Sequence, residues 1–307
     1  MKNIEFNYKK FSFLATFYYL VYAFPFNSYY RNRMLWEIRQ KLINQKPFFF
    51  PWTMKNGTRV CISKNDILNQ YGVGTHCFKD RSWECHVEEV INKLLKPNNI
   101  VWDIGANIGY FSALFSKIVG KSGKVFAFEP VTESWCQLKK TLDESENQNS
   151  KVFRVALGDQ VGVGTIEYDP SISGNASIYQ RAGNFGCVKE DIKIQTIDGL
   201  IKTELSPCDF IKIDTEGNEL KALMGGKEFF RNFNPIVLYE FNQETATLAN
   251  YTFGDIARFF IDISIDYEIF FITSGGNLIK IVSFDWNVPF GCHIDLVAIP
   301  KNSNPFK

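Results

Sequence analysis

The 307-residue sequence has almost no net charge, few histidines and no apolar run long enough to span a bilayer, and each shortage removes a class of function. Lysine plus arginine number 34 against 33 aspartates and glutamates, so no global field recruits nucleic acid and no such partner is expected. Seven cysteines, an odd number, are scattered without any Cys-x-x-Cys, which argues against a disulfide framework and for reduced thiols in a cytoplasmic protein. In the one His/Cys grouping, His76-Cys77 with Cys85-His86, adjacent side chains point apart, so ordinary packing is favoured over zinc. The longest apolar and aromatic run, residues 11–24, falls short of the roughly 20 residues a span requires, ends at Pro25 and is followed by no convincing small-residue cleavage site. Three readings of it stay open: a helix docked on the main domain, a membrane-surface anchor flanked by Lys9, Lys10, Arg31 and Arg33, or part of an oligomer interface of unknown order. The expected location is cytoplasmic, at the membrane surface if the anchor reading holds. Internal repeats do not stand out, and the Gly-x-Gly-x-x-Gly of dinucleotide dehydrogenases is missing.

What stands in its place is Asp103-Ile104-Gly105-Ala106-Asn107-Ile108-Gly109-Tyr110, read as a buried strand, a glycine-bearing turn and a helix over 110–119. Gly105 lets the backbone turn sharply and approach a ligand, and Gly109 lets the new helix pack closely on the sheet. An acid ahead of the glycines would repel a pyrophosphate but can pair with a cationic, amino-acid-bearing cofactor such as S-adenosylmethionine. The next apolar run ends in Glu129, about 20 residues past Gly109, where a ribose diol can be gripped. Strands at 100–103, 124–129 and 152–156 alternate with helices at 110–119 and 133–144. This alternation marks parallel strands with covering helices, which place ligands beyond the strands' carboxyl ends. Further strands at 210–214, 235–240, 267–272 and 294–299 would bring the sheet to seven, the last two as antiparallel partners through a ribbon that Gly275-Gly276 allows.

From about residue 100 to 299 the sequence resembles the FkbM family of S-adenosylmethionine-dependent methyltransferases. The likeness runs in order through Asp103-Ile104-Gly105-Ala106-Asn107-Ile108-Gly109-Tyr110-Phe111, Phe128-Glu129-Pro130, Val155-Ala156-Leu157-Gly158-Asp159 and Phe210-Ile211-Lys212-Ile213-Asp214-Thr215-Glu216-Gly217-Asn218-Glu219. It implies an α/β, Rossmann-like class I methyltransferase fold: a mostly parallel seven-stranded sheet with helices on both faces, here with an N-terminal helical extension. It also implies O-methylation of a hydroxyl on a sugar, glycan or secondary metabolite, without fixing the acceptor. Position and resemblance together assign Asp103, Gly105, Ala106, Asn107, Gly109, Tyr110, Glu129, Ala156 and Leu157 to S-adenosylmethionine. Asp103 and Gly105 would surround the methionine moiety, Asn107 and Tyr110 would shape the turn, Glu129 would hold the ribose, and Ala156-Leu157 would lie beside adenine.

Asp214 and Glu216 are the catalytic candidates, with Glu240 and Asn242 toward the acceptor. Oxygen donors of this kind suit a general base, a hydrogen-bond acceptor or a hard cation, and no metal is assigned. Glu219 is expected to favour an early helix turn electrostatically, and Lys212 to point away within its strand or pair with a nearby acid. Tyr71, His76, Trp83 and Glu84 are within reach of the site's mouth. The glycine-rich insertion after Asp159, with strands at 165–168 and 191–196, reads as a lid or as a plain hairpin excursion.

Ahead of this domain, taken as residues 97–307, residues 1–96 form an aromatic helix and a lead-in: a helix over 34–45, a hinge at 47–52, a strand at 59–63 and a helix over 84–95. The leading function is an S-adenosylmethionine-dependent O-methyltransferase acting on a small-molecule or glycan acceptor. An NAD-dependent oxidoreductase is the runner-up, disfavoured by Asp103 and the missing third-glycine spacing. A catalytically silent S-adenosylmethionine-fold interaction protein is the third reading.

Overall fold

The computed structural model describes residues 8–23, 28–43, 48–68, 72–144, 147–168, 176–178, 188–203, 205–263, 267–283 and 293–303. The chain begins with two helices, α1 (Tyr8–Ala23) and α2 (Ser28–Ile43), followed by the hairpin β1 (Phe49–Thr53) and β2 (Arg59–Ser63) and by α3 (Lys64–Leu68), α4 (Val73–Asp80) and α5 (Cys85–Leu94). From Phe49 onward, the Phe-rich stretch read as a hinge is therefore a strand. Its pairing with β2 sets Pro51, which has no amide hydrogen to donate, opposite Cys61 on an edge where none is needed. Phe48 and Phe50 are buried, and the rings of Tyr18, Tyr19, Phe50 and Trp52 all lie within 6.3 Å of Phe78 on α4.

The alternating part follows as β3 (Ile100–Ile104), α6 (Tyr110–Val119), β4 (Lys124–Phe128), α7 (Thr132–Asp143), β5 (Ser150–Phe153), β6 (Ala156–Leu157), β7 (Gly162–Tyr168), β8 (Val188–Gln195) and α8 (Ile197–Thr203). It closes with β9 (Phe210–Ile213), α9 (Glu219–Met224), α10 (Lys227–Phe233), β10 (Ile236–Asn242), α11 (Gln243–Leu248), α12 (Phe253–Asp262), β11 (Tyr267–Ile272), β12 (Leu278–Lys280) and β13 (His293–Pro300). The main sheet runs β12-β11-β13-β10-β9-β3-β4-β5. Its pairs from β10 through β9, β3 and β4 to β5 are parallel, and β13 is antiparallel to both its neighbours. The described sheet thus has eight strands where seven were expected. The added strand has a simple cause: Gly276, at φ 68°, closes a tight β11–β12 hairpin, so the Gly275-Gly276 turn does not lead directly to β13.

Chain order reverses at the centre of the sheet, where β3 leads outward to β4 on one side and β9 joins it on the other. At such a point the loops leaving adjacent strands diverge, and a crevice opens beyond their carboxyl ends. Strand alternation assigns the side chains of β3 and β9 to two buried faces. Trp102, Ile104, Ile211 and Ile213 pack with α8, α9, α10 and α12, while Val101 and Phe210 pack with α5, α6 and the N-terminal elements. That second cluster runs without a break from Tyr18, Val21, Ile38 and Leu42 to Val125, Leu238 and Val297, so residues on either side of position 96 share one core. Leu42 is fully buried, and Leu42→Ala is expected to destabilise the protein by about 2–3 kcal/mol, near the lower end for such truncations because two helices can settle onto the gap. Urea unfolding measures this, and an unchanged midpoint would mean that α2 is not docked.

Candidate functional site

A cleft of about 620 Å³ lies at the carboxyl ends of the central strands, lined from β3, β4, β9 and β10, from α4 and the loop into α5, and from the β7 hairpin. Gly105 begins its floor at φ 82°, and a Cβ there would sit 1.7 Å from the Asp214 carbonyl oxygen. One close approach that requires glycine is thus between two strand ends. The amides of Gly105 and Ala106 both donate to the Phe128 carbonyl. At Gly109, also at positive φ, a Cβ would meet Leu138 at 2.7 Å, so its role is to let α6 pack on α7 and not on the sheet.

Asp103 is fully buried, and its Oδ2 accepts from Ser112 Oγ at 2.5 Å. Its Oδ1 and the Asn107 Oδ1 are buried without a hydrogen-bond partner among the described residues. Burial raises the Asp103 carboxyl above its ordinary range, with Lys212 and Ser112 opposing. Asn107 turns the chain at φ 50° and donates its amide to Glu129 Oε2 at 2.9 Å, while Glu129 Oε1 accepts from the Val131 amide at the same distance. Burial pushes Glu129 up to about 7 against those two amides. Tyr110 contributes wall, because its hydroxyl donates to Glu88 at 2.9 Å. Ala156 and Leu157 line an apolar end with Phe128, Val155, Ile166, Ala176 and Ile178, and the Leu157 carbonyl is taken by Asn218 Nδ2 at 2.7 Å.

On the other side, Asp214 Oδ2 forms an ion pair with Lys212 Nζ at 2.8 Å. Alternation explains it: residues two apart share a face, so Lys212 and Asp214 emerge together on the face of Asp103, whose register partner is Lys212. Burial lowers the tendency of Lys212 to stay charged, but Asp214, Asp103 and Glu84 outweigh it and hold the ammonium above its usual range. The turn after Asp214 carries Glu216 at φ 53° and Gly217 at φ 106°. Glu219 does more than bias a helix turn: its Oε1 accepts from the Thr215 amide at 2.8 Å and its Oε2 from the Gly217 amide at 3.1 Å and the Tyr251 hydroxyl at 2.6 Å. Asn242, expected toward the acceptor, lines the cleft but spends its Oδ1 capping α11 through the Glu244 and Thr245 amides, leaving only its amide nitrogen for a ligand. Burial, then the Asp214, Glu216, Asp295 and Glu84 carboxylates, hold Glu240 well above its ordinary range.

His76, Trp83 and Glu84 all line the cleft, whereas Tyr71 lies outside the described residues. The four zinc-type residues are dispersed: His76 contacts Asp80, Cys77 is buried, Cys85 is exposed and His86 pairs with Asp295 at 2.8 Å. The hydrogen bond to Asp295, against burial, lifts the His86 imidazole above its usual range.

The description of the Methyltransferase FkbM domain matches residues 103–269, more than half of the chain. The chain belongs to the FkbM methyltransferase family. Among its relatives, the methyltransferase sdnD of Sordaria araneosa is 27% identical across 47% of this chain and 65% of its own length. The hexuronic acid methyltransferase AglP of Haloferax volcanii is 27% identical across 49% of this chain and 61% of its own. The 2-O-methyltransferase NoeI of Sinorhizobium fredii is 26% identical across 46% and 62%. The chain therefore spans somewhat under two thirds of the length of these relatives. A crystal structure of methyltransferase FkbM from Methylobacillus flagellatus KT superposes with a TM-score of 0.44 at 18% identity, covering 76% of this chain and 54% of that one.

In this FkbM-family chain, Asp295 and Ser112, which contact residues around the cleft, escaped the sequence reading, whereas Lys212 takes one of the two courses read for it, pairing with a nearby acid. The period-two spacing to Asp214 was there to decide between the two. Asp295 is a lone charge in the apolar β13 and pairs by register with Glu240. Ser112, two residues into α6, carried no signal until the fold set it against Asp103.

Proposed function

We propose that this chain is an S-adenosylmethionine-dependent O-methyltransferase acting on a hydroxyl of a sugar, glycan or secondary metabolite. One observation carries the reading above all: beneath the Gly105 turn, the fully buried Asp103 keeps one carboxylate oxygen without a partner, in the same cleft as Glu129. A buried unpaired acceptor costs stability unless a ligand donor completes it, and a cationic amino-acid moiety offers such a donor. Asp103 and Asn107 would hold that moiety, Glu129 would accept from a ribose hydroxyl, and Phe128, Val155, Ile166 and Ile178 would flank a flat base. The cofactor supplies an electrophilic methyl group.

The chain's own part is to place an acceptor hydroxyl in line and to take its proton. Asp214, fixed by Lys212, orients the hydroxyl. Glu240, held above the ordinary carboxylate range by burial and by Asp214, Glu216, Asp295 and Glu84, is the more basic carboxylate for taking up that proton. The name of AglP, a hexuronic acid methyltransferase, supports a saccharide acceptor, and that of NoeI, a 2-O-methyltransferase, supports transfer to oxygen. The carboxylates of Asp214, Glu216 and Glu240 on this side favour a neutral hydroxyl over a uronate.

Titration calorimetry with S-adenosylmethionine and separately with NAD is the first test. Asp103→Asn and Glu129→Gln are each expected to weaken S-adenosylmethionine binding by about 1–3 kcal/mol, the scale of a lost charge-assisted hydrogen bond. Binding of NAD in preference, or affinity untouched by both changes, removes the assignment. Transfer of a labelled methyl group to a panel of neutral saccharides and hydroxylated metabolites then tests the acceptor class, and no transfer to any would return the silent-module reading.

A further inference from the structure

The α1–α2 hairpin turns aromatic side chains outward. Phe17 and Tyr22 on α1 are 38% and 41% exposed, and Tyr29, Tyr30 and Trp36 on α2 are 66%, 64% and 61% exposed. Five of the six exposed aromatics among the described residues lie on these two helices, Phe233 being the other. The pattern on α2 is the reverse of an ordinary docked helix. Ile38 and Leu42 face the core, while Tyr29, Arg33, Trp36 and Gln40, spaced by four, three and four, occupy the opposite side.

Charge follows the same division. Residues 1–43 carry seven lysines and arginines against two glutamates, whereas the whole chain has a net charge of +1, so the remainder is acidic. No described helix is long and apolar enough to cross a membrane. An interface with a second protein copy would be depleted of charge at its centre. Tryptophan and tyrosine interleaved with arginine and lysine match instead the boundary between headgroups and acyl chains, where the rings sit partly in hydrocarbon and the cations meet anionic phosphates.

We infer that the outer face of the α1–α2 hairpin docks this protein on an anionic membrane surface. Tyr18, Tyr19 and Val21 stay packed inward, so docking requires no undoing of the core. Helix α4 connects this face to the cleft: Phe78 packs on Tyr18 and Tyr19, Lys79 Nζ lies 5.6 Å from the Tyr22 ring, and Val73, His76 and Asp80 line the cleft.

Co-sedimentation of the full chain with phosphatidylcholine vesicles, with and without phosphatidylglycerol, tests the inference. Binding is expected to the anionic vesicles only and to fall as salt rises. The double change Tyr29→Ser with Trp36→Ser is expected to lower partitioning by about tenfold. Arg33→Gln and Lys41→Gln are each expected to lower it about fivefold. Melting temperature and cofactor affinity should stay at wild-type values in all of these, because the side chains face away from core and cleft. Absence of binding to the anionic vesicles, or partitioning unchanged by the substitutions, overturns the inference. So does a dimer in gel filtration that the same substitutions dissociate, which would assign the face to a second copy.

Discussion

Asp214→Asn is expected to lower turnover by the order of 10²-fold or more while leaving S-adenosylmethionine affinity nearly intact. The reason is local. Asp214 stands just past the end of β9, tied by one oxygen to Lys212 and fixed in direction by a turn that Glu219 clamps. Asparagine is isosteric and keeps the turn, but it presents an amide where a carboxylate should accept the acceptor's hydroxyl and leaves the Lys212 ammonium facing a neutral partner. Glu240→Gln separates the two acids. If Glu240 takes the proton, kcat falls and the rise of activity with pH disappears, because the variant lacks the group whose deprotonation produces that rise. Glu216→Gln should instead raise the acceptor's apparent KM more than it lowers kcat, as for a positioning contact. Equal activity per folded molecule in wild type and Asp214→Asn would remove Asp214 from the mechanism.

Lys212→Met is expected to destabilise the fold by about 3 kcal/mol, the lower end of the cost of breaking a buried pair, because Lys212 is buried whereas Asp214 is partly exposed and solvent takes up part of its charge. Methionine fills the volume over the Phe111 ring, 4.8 Å from the ammonium, so the loss would come from charge and not from a cavity. The pH dependence has a definite sign. Glu129, with a folded-state pKa of about 7, is protonated in the native state over a range where the unfolded chain is ionised, so its contribution is present at low pH and lost as pH rises toward that value. Asp103, Glu84 and Glu240 are shifted the same way by burial. Removing the cation that opposes these shifts makes ionisation of Asp103 and Glu84 still harder. The gap in melting temperature between wild type and variant should therefore widen from about pH 5 to about pH 8. A gap that does not change with pH would show that Lys212 contributes only packing.

That Asp103, Gly105 and Glu129 meet in one cleft was legible because each is announced by a local rule: an acid at the end of an apolar strand, a glycine where the chain reverses, a second acid one strand on. The parallel core was legible for the same reason, since alternating strands and helices leave few arrangements. What the sequence concealed depends on pairing between distant segments. Nothing near Asp295 reveals that it lies level with Glu240, and nothing near Glu219 reveals that Tyr251 completes its hydrogen bonds. The stretch at 47–52 misled because two prolines beside aromatics signal a break, whereas β2 offered a partner that tolerates Pro51. In the N-terminal aromatic run, the inward side of Tyr18 and Val21 and the outward side of Phe17 and Leu20 became distinct only once α4 supplied a surface.

One contact between the two ends of the cleft has a thermodynamic corollary. Ser177, held against β7 by reciprocal backbone hydrogen bonds to Glu167, donates its hydroxyl to the Glu216 carbonyl at 2.8 Å, while its neighbours Ala176 and Ile178 line the apolar end. A ligand that settles Ala176 and Ile178 therefore also settles the backbone from which Glu216 projects. Whatever factor by which the first ligand changes the affinity for the second, the second must change the affinity for the first by the same factor. Cooperativity between cofactor and acceptor is therefore expected to weaken in Ser177→Ala, which removes the hydroxyl's bond to the Glu216 carbonyl; an unchanged ratio of acceptor affinities with and without cofactor would show that this contact does not couple the two.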